Sequence, residues 1–230
     1  MQADLNKSGG FDMDWKHILK VWRDPLMVTA IIVLVVIFVL VWVKGSEAAT
    51  ILSNGSNRIT IDGPIYAGDA ARLTKALGEI RISYFGTEML EIIIDSRGGD
   101  ADVTQTMMYI INQWSKDTRI KIRTICYARA GSGGALLFMM GDERWVGDLA
   151  VIMIHEVWFD YAGGHFTTEE MLAKDLLTPA GAKQTMGFNA LMYQLLREKT
   201  NAPAHFIKDE YTFTAGEAYR YNIATHYKPF

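Results

Sequence analysis

One serine and one histidine in this chain sit where side chains are usually put to chemical use. Ser132 lies in the small-residue stretch Cys126-Tyr127-Ala128-Arg129-Ala130-Gly131-Ser132-Gly133-Gly134-Ala135. His155 closes the apolar run Val151-Ile152-Met153-Ile154. A hydroxyl becomes nucleophilic near neutral pH when an adjacent base takes its proton, and imidazole is the side chain suited to that task. A third element stands upstream, where Asp95-Ser96-Arg97-Gly98-Gly99 follows Ile92-Ile93-Ile94. Backbone N–H groups at such a turn can hold the oxyanion that forms when a serine attacks a carbonyl.

Each feature has a plainer explanation when taken singly. Ser132 between glycines also suits a packing turn with a serine N-cap. A histidine at the end of a buried strand is often a satisfied core residue, and two glycines after a strand are an ordinary strand-to-helix turn. His17, His165, His205 and His226 have no comparable setting and read as surface or structural residues. Cys126 is the single cysteine, so no internal disulfide and no C-x-x-C metal site can form. The chain carries no Gly-x-x-x-x-Gly-Lys-Ser/Thr phosphate loop.

The elements that must hold these residues can be read from pattern. The 230 residues are 50% hydrophobic and 21% charged, with a net charge of -3. That balance argues against bulk disorder and gives no sign of a nucleic-acid partner. Residues 1–24 form an N-terminal tail, in which Trp15 to Trp22 suits a short interfacial helix. Leu26 to Val43 is uncharged and, as a helix, would reach roughly 27 Å, close to the thickness of a bilayer core. Trp22 and Trp42 flank it, Asp24-Pro25 starts it and Lys44-Gly45 ends it. These features predict a single membrane-spanning helix within 25–44; a cleaved signal peptide ending near Ser46-Glu47-Ala48 is the competing reading. Lys16, Lys20 and Arg23 before the span, against Lys44 and Arg58 after it, lean to a cytoplasmic N-terminus and an extracytoplasmic C-terminal domain. Residues 45–57 are small and polar and read as a linker to a domain over 58–230.

From Arg58 onward strands alternate with helices. Ile59 to Ile61 predicts a strand and Asp69 to Ile80 a helix. Leu90 to Ile94 predicts a strand buried on both faces. Val103, Met107, Ile110, Ile111 and Trp114 form an apolar helical stripe, and Ile120, Ile122 and Thr124 alternate as a strand. Ala135 to Met140 predicts a buried helix, Ala150 to Ile154 a strand, and Gly181 to Lys199 an amphipathic helix with Met186, Leu191, Leu195 and Leu196 inward. Such alternation argues for an α/β domain with crossover connections.

Taken together and in this order, the motifs resemble the proteolytic subunit of the Clp protease, within the ClpP/crotonase-like superfamily, from about Ile59 to about Thr225. The matching pieces are the Gly-Gly turn after an apolar strand (Ile92 to Gly99), the serine segment (Cys126 to Ala135), the Met-Ile-His segment (Met153 to His155) and Thr-Ala-Gly-Glu-Ala (Thr214 to Ala218). The resemblance implies an α/β fold of repeated ββα units, here preceded by the transmembrane helix, and a serine endopeptidase with no cofactor. Ser132 would be the nucleophile, His155 its base, and the N–H groups of Gly99 and Gly133 the oxyanion hole. The third, acidic member falls at Glu210, with Asp209 beside it. It also implies a homo-oligomer acting on peptides or unfolded proteins, served by an ATPase unfoldase if the domain faces the cytoplasm.

The chain departs from that pattern in places. Arg97 replaces a usual proline, Asp95 a frequent asparagine and Gly133 a usual methionine, and Trp158 to Thr178 is longer than expected. Three other functions therefore stay open. Anchored proteases resembling signal peptide peptidase A pair serine with lysine, for which Lys174 and Lys183 are the candidates. Crotonase-like enzymes stabilise acyl-CoA enolates and need no serine. An inactive scaffold would keep the fold alone.

Overall fold

The computed structural model describes Thr29, Val33 and residues 49–54, 57–80, 89–161, 164–208 and 210–228. The proposed membrane span therefore lies outside the described residues, apart from Thr29 and Val33. Among the described residues, no helix is long and apolar enough to cross a membrane.

Beyond Ala48 the chain folds as one unit around a six-stranded sheet. The strands in spatial order are β1 (Thr50–Ser53), β2 (Arg58–Asp62), β3 (Met89–Asp95), β4 (Lys121–Cys126), β6 (Glu143–Gly147) and β11 (His226–Lys228). All neighbouring pairs are parallel except β1, which runs antiparallel to β2 at one edge. A second sheet is made of β10 (Tyr211–Thr214), β7 (Val151–Ile154) and β5 (Arg129–Gly131). β5 and β7 are parallel, and β10 is antiparallel to β7.

The ββα repeat is visible in how the two sheets alternate. β4 leaves the large sheet, β5 joins the small one, and α3 (Gly133–Met139) returns; β6 and β7 repeat the move. β3 does the same more briefly. Ser96 makes a parallel bridge to Ala130, and the chain then enters α2 (Ala101–Thr118). α1 (Asp69–Glu79) connects β2 to β3, and α5 (Pro179–Lys199) is the longest helix.

The core follows from the apolar periodicity. Leu90, Ile92 and Ile94 of β3 are fully buried, as are Met107 and Ile111 of α2. All seven residues of α3 are buried, which is why this short helix is apolar throughout. Each large aliphatic or aromatic side chain taken from water there contributes about 2 kcal/mol.

Three sequence expectations are corrected. The linker over 45–57 contains β1, because Ile51 and buried Ala49 pack on the core, so ordered structure begins before residue 58. β3 is buried on one face only: Glu91, Ile93 and Asp95 are half-exposed, and Glu91 joins Arg58 and Arg123 in ion pairs. α5 begins two residues early, at Pro179 capped by Thr178, and turns Ala182, Phe188, Met192 and Leu196 inward. Met186 faces out at 43% exposure. Leu196 is buried and Leu191 and Leu195 pack on the core, so of the four expected inward residues only Met186 is turned out.

Arg144 links several of these elements. Its guanidinium is buried and donates to the carbonyls of Ile223, Gly141, Lys199 and Asn222 at 2.7, 3.2, 3.1 and 2.9 Å. It thereby satisfies carbonyls at the end of α5, in the turn after α3, and in the turn after α7 (Ala215–Arg220). Removing the charged donor takes this partner from carbonyls of the buried residues Ile223 and Gly141. Arg144→Met is therefore expected to lower stability by about 3 kcal/mol in urea denaturation. Arg144→Lys should recover little, because an ammonium lacks the planar fork.

Candidate active site

Ser132 is the residue between β5 and α3, and its backbone is unusual. Its φ of 50° and ψ of -121° lie in a region that glycine favours and side chains avoid. A serine kept there needs surroundings that impose the geometry. Its N–H donates to the Met153 carbonyl at 2.8 Å, and its carbonyl accepts from Leu136 N–H at 3.2 Å. Gly133 and Gly134 follow because nothing larger fits. A Cβ on Gly134 would lie 2.6 Å from the Ser96 carbonyl, and one on Gly133 would collide with the side chain of Thr104. Ser132 makes no side-chain cap hydrogen bond, so the N-cap explanation of this serine does not hold.

His155 follows β7, the strand paired with β5. The register sets Gly131 opposite Met153, so the chain ends carrying Ser132 and His155 emerge side by side, with strands about 4.8 Å apart. Both residues line one cavity of about 80 Å³, together with Gly99, Gly133, Trp158 and Phe188. His155 Nδ1 lies 2.5 Å from the Glu156 carbonyl oxygen. A carbonyl can only accept, so this contact places the proton on Nδ1 and leaves Nε2 with its lone pair. The Trp158 ring meets the imidazole edge-on at 5.3 Å between centroids. Among the described residues no hydrogen bond joins Ser132 Oγ to Nε2.

The glycine pair is locked onto the serine elbow. Ser96 N–H donates to the Arg129 carbonyl and Gly131 N–H to the Ser96 carbonyl, at 2.9 and 2.8 Å. The buried Ser96 hydroxyl accepts from Gly98 N–H at 3.1 Å. Gly98 has φ 91° and Gly99 φ 156°. A Cβ on Gly98 would fall 2.6 Å from Gly133 N, which brings the two turns into contact. Ile65 bonds to the carbonyl of Gly98 and the N–H of Asp100, which leaves the N–H of Gly99 outside that bridge. Gly133 opens α3, where N–H groups have no partner within the helix. Gly99 and Gly133 both line the cavity that Ser132 enters.

The acidic candidates are placed unequally. β10 pairs Tyr211 with Ile154, so Glu210 and His155 occupy the same end of that strand pair. Glu210 sits at φ 50°, exposed, and among the described residues its carboxylate makes no hydrogen bond to His155. Asp209 lies outside the described residues. Neither lysine candidate lines the cavity. Lys174 rests over the Phe166 ring at 4.0 Å, and Lys183 is exposed on the first turns of α5. A partly buried lysine does exist: partial burial and the nearby Arg144 charge lower the pKa of Lys199. Its Nζ, however, donates to Met139, at the opposite end of α3 and about 10 Å from Ser132. Burial, reinforced by Asp95, pushes the Cys126 thiol up to about 12, so Cys126 packs rather than reacts.

Sequence reasoning missed Thr104, Ser96, Trp158 and Phe188. Thr104 and Phe188 come from distant helices, and their spacing carries no signal. Trp158, three residues after His155, was within reach of inspection, but only the fold shows which way it turns.

An elbow serine, a strand-edge histidine and two glycines thus line one cavity on a two-sheet ββα framework. The family model for Clp protease matches residues 45–226, and the chain belongs to that family. Among solved structures, a ClpP1 mutant from Listeria monocytogenes superposes with a TM-score of 0.57 at 17% identity, covering 76% of this chain and 92% of that one. That likeness speaks to the fold. No relative among curated proteins matches the chain.

Proposed function

We propose that the chain is a serine endopeptidase that forms an acyl-enzyme on Ser132. The observation that carries this reading is the backbone of Ser132. A side chain is held at a conformation suited to glycine, beside a histidine whose Nε2 is left as an acceptor. In the reaction Nε2 takes the Oγ proton as Oγ bonds to the peptide carbonyl carbon. The carbonyl oxygen becomes negative and accepts from the N–H groups of Gly99 and Gly133. The imidazolium then gives its proton to the departing amide nitrogen. Water, activated by the same base, hydrolyses the ester and restores the hydroxyl. The Glu156 carbonyl sets the tautomer, and Glu210 or Asp209 supplies the negative charge that favours the imidazolium.

The geometry favours histidine over lysine as base, because the cavity holds His155 and neither lysine candidate. His155→Ala is expected to lower kcat/KM for a fluorogenic peptide at least about 10³-fold. Lys174→Ala and Lys183→Ala should change it less than about twofold, as expected for exposed residues away from the reacting groups. Retained turnover in His155→Ala with loss in either lysine variant would reverse the assignment.

We also read residues 26–43 as a membrane anchor, on the strength of their uncharged run and flanking tryptophans. Self-assembly through the family fold belongs to the same reading. So does an ATPase unfoldase as partner, should the domain face the cytoplasm. Extraction of the full chain by alkaline carbonate would count against the anchor, and resistance to it would support the anchor.

A further inference from the structure

Beside the Ser132 cavity lies a second and larger one, of about 670 Å³, within the range that holds peptide side chains and small ligands. Trp158 lines both, and Glu156, next to His155, lines the second, so the two share the segment that leaves β7. The remaining wall comes from the long stretch after His155. That stretch builds a hairpin of β8 (Phe159–Tyr161) and β9 (Gly164–Phe166), followed by α4 (Thr168–Ala173). From it Phe166 and Glu169 face the cavity, with Tyr193 from α5 and Lys208 from α6 (His205–Lys208).

The lining has a chemical character. Trp158, Phe166 and Tyr193 provide aromatic surface, and the two carboxylates outnumber the one ammonium. Tyr193 donates its hydroxyl to Glu156 Oε1 at 2.7 Å, which fixes that carboxylate in the wall. Glu169 is exposed and is not used by its helix. The capping box of α4 is made by Thr167 and Glu170 instead. Among the described residues neither Glu169 nor Lys208 is in an ion pair. The Phe166 ring already accepts a cation, since Lys174 Nζ lies over it at 4.0 Å. Aromatic faces and two carboxylates in the wall of one cavity suit a long side chain with a cationic head.

We infer that this cavity is a specificity pocket for a lysine or arginine side chain of the substrate, near the bond presented to Ser132. The inference rests on the peptidase reading, and it adds the class of substrate that the site prefers. The aliphatic stem would lie along Trp158 and Phe166, and the head would meet Glu156 and Glu169.

The test uses the full chain and sets of peptides that differ only in carrying Lys, Leu or Glu at one position near the scissile bond. Binding to Ser132→Ala is measured by fluorescence anisotropy, so that no turnover is required. At one such position the Lys peptide is expected to bind at least about fivefold more tightly than the Glu peptide, the range of one partly exposed charge pair. Glu169→Lys should weaken the Lys peptide about tenfold and leave the Leu peptide within twofold. On active protein the same pattern should appear in kcat/KM. Equal binding of Lys and Glu peptides at every position, or a Glu169→Lys effect equal on all three, overturns the pocket. Labelling of Ser132 by a serine-reactive phosphonate is read separately. Its absence sinks the peptidase reading, while the binding series still decides the pocket.

Discussion

Ser132→Gly is expected to abolish peptide hydrolysis and phosphonate labelling while making the protein more stable. Loss of the hydroxyl removes the nucleophile, and the fall in kcat should be at least about 10³-fold. The stability effect has a different origin. At φ 50° and ψ -121°, a residue with a Cβ is strained by about 1–3 kcal/mol, and glycine is not. Glycine also makes the unfolded chain more flexible, which opposes folding by somewhat less than 1 kcal/mol. The net expectation is a gain of about 1 kcal/mol in urea denaturation. Ser132→Ala should be equally inactive without that gain, because alanine keeps the Cβ. A protein that places a serine where glycine is more stable keeps it for its hydroxyl. If Ser132→Gly were destabilising, the elbow would be held by the serine for packing, and the catalytic reading would lose its main support.

Gly99→Ala should damage catalysis through the backbone rather than through any side chain. The added methyl would run into the backbone of Ile65, with Ile65 N at 2.8 Å, and the φ of 156° is itself unsuited to alanine. The turn must move, and the N–H of Gly99 moves with it. An oxyanion donor acts only when it lies within about 3 Å of the developing charge. The expected result is a 10²- to 10³-fold fall in kcat with KM changed little, the range for losing one such donor. Stability should fall by about 2 kcal/mol as the Ile65 bridge is disturbed. A fall in stability with kcat intact would show that this amide has no part in the reaction. Phosphonate labelling separates the two positions further. Gly99→Ala should still be labelled, slowly, because Ser132 and His155 remain.

The legible parts of this molecule were those whose signal is local. β2, α1 and β4 were readable from alternation and helical spacing, and β7 from its continuous apolar run. The serine, histidine and glycine segments were readable as motifs. β5, with three residues, and β11, with three exposed ones, carry too few side chains for a period to register. The pairing of β5 with β7 is nevertheless what brings Ser132 to the cavity that His155 lines. The hairpin β8–β9 and α4 lay in a stretch that sequence marked only as long.

By itself the sequence determined which residues could react and the order in which they arrive. A hydroxyl after Gly131, an imidazole after Ile154 and glycines after Asp95 are properties of residue type and neighbour. The tertiary structure alone decided that these residues line one cavity. Parallel pairing of β5 with β7 joins segments far apart in the chain through backbone hydrogen bonds that nearly any sequence can make, and the turn at Gly98 then packs directly on Gly133. It also decided that His155 Nδ1 meets a carbonyl, that Glu210 stands at the same edge, and that the partly buried Lys199 reaches the far end of α3. Residue identity fixes chemistry, whereas distance depends on how the whole chain closes its sheets and fills its core.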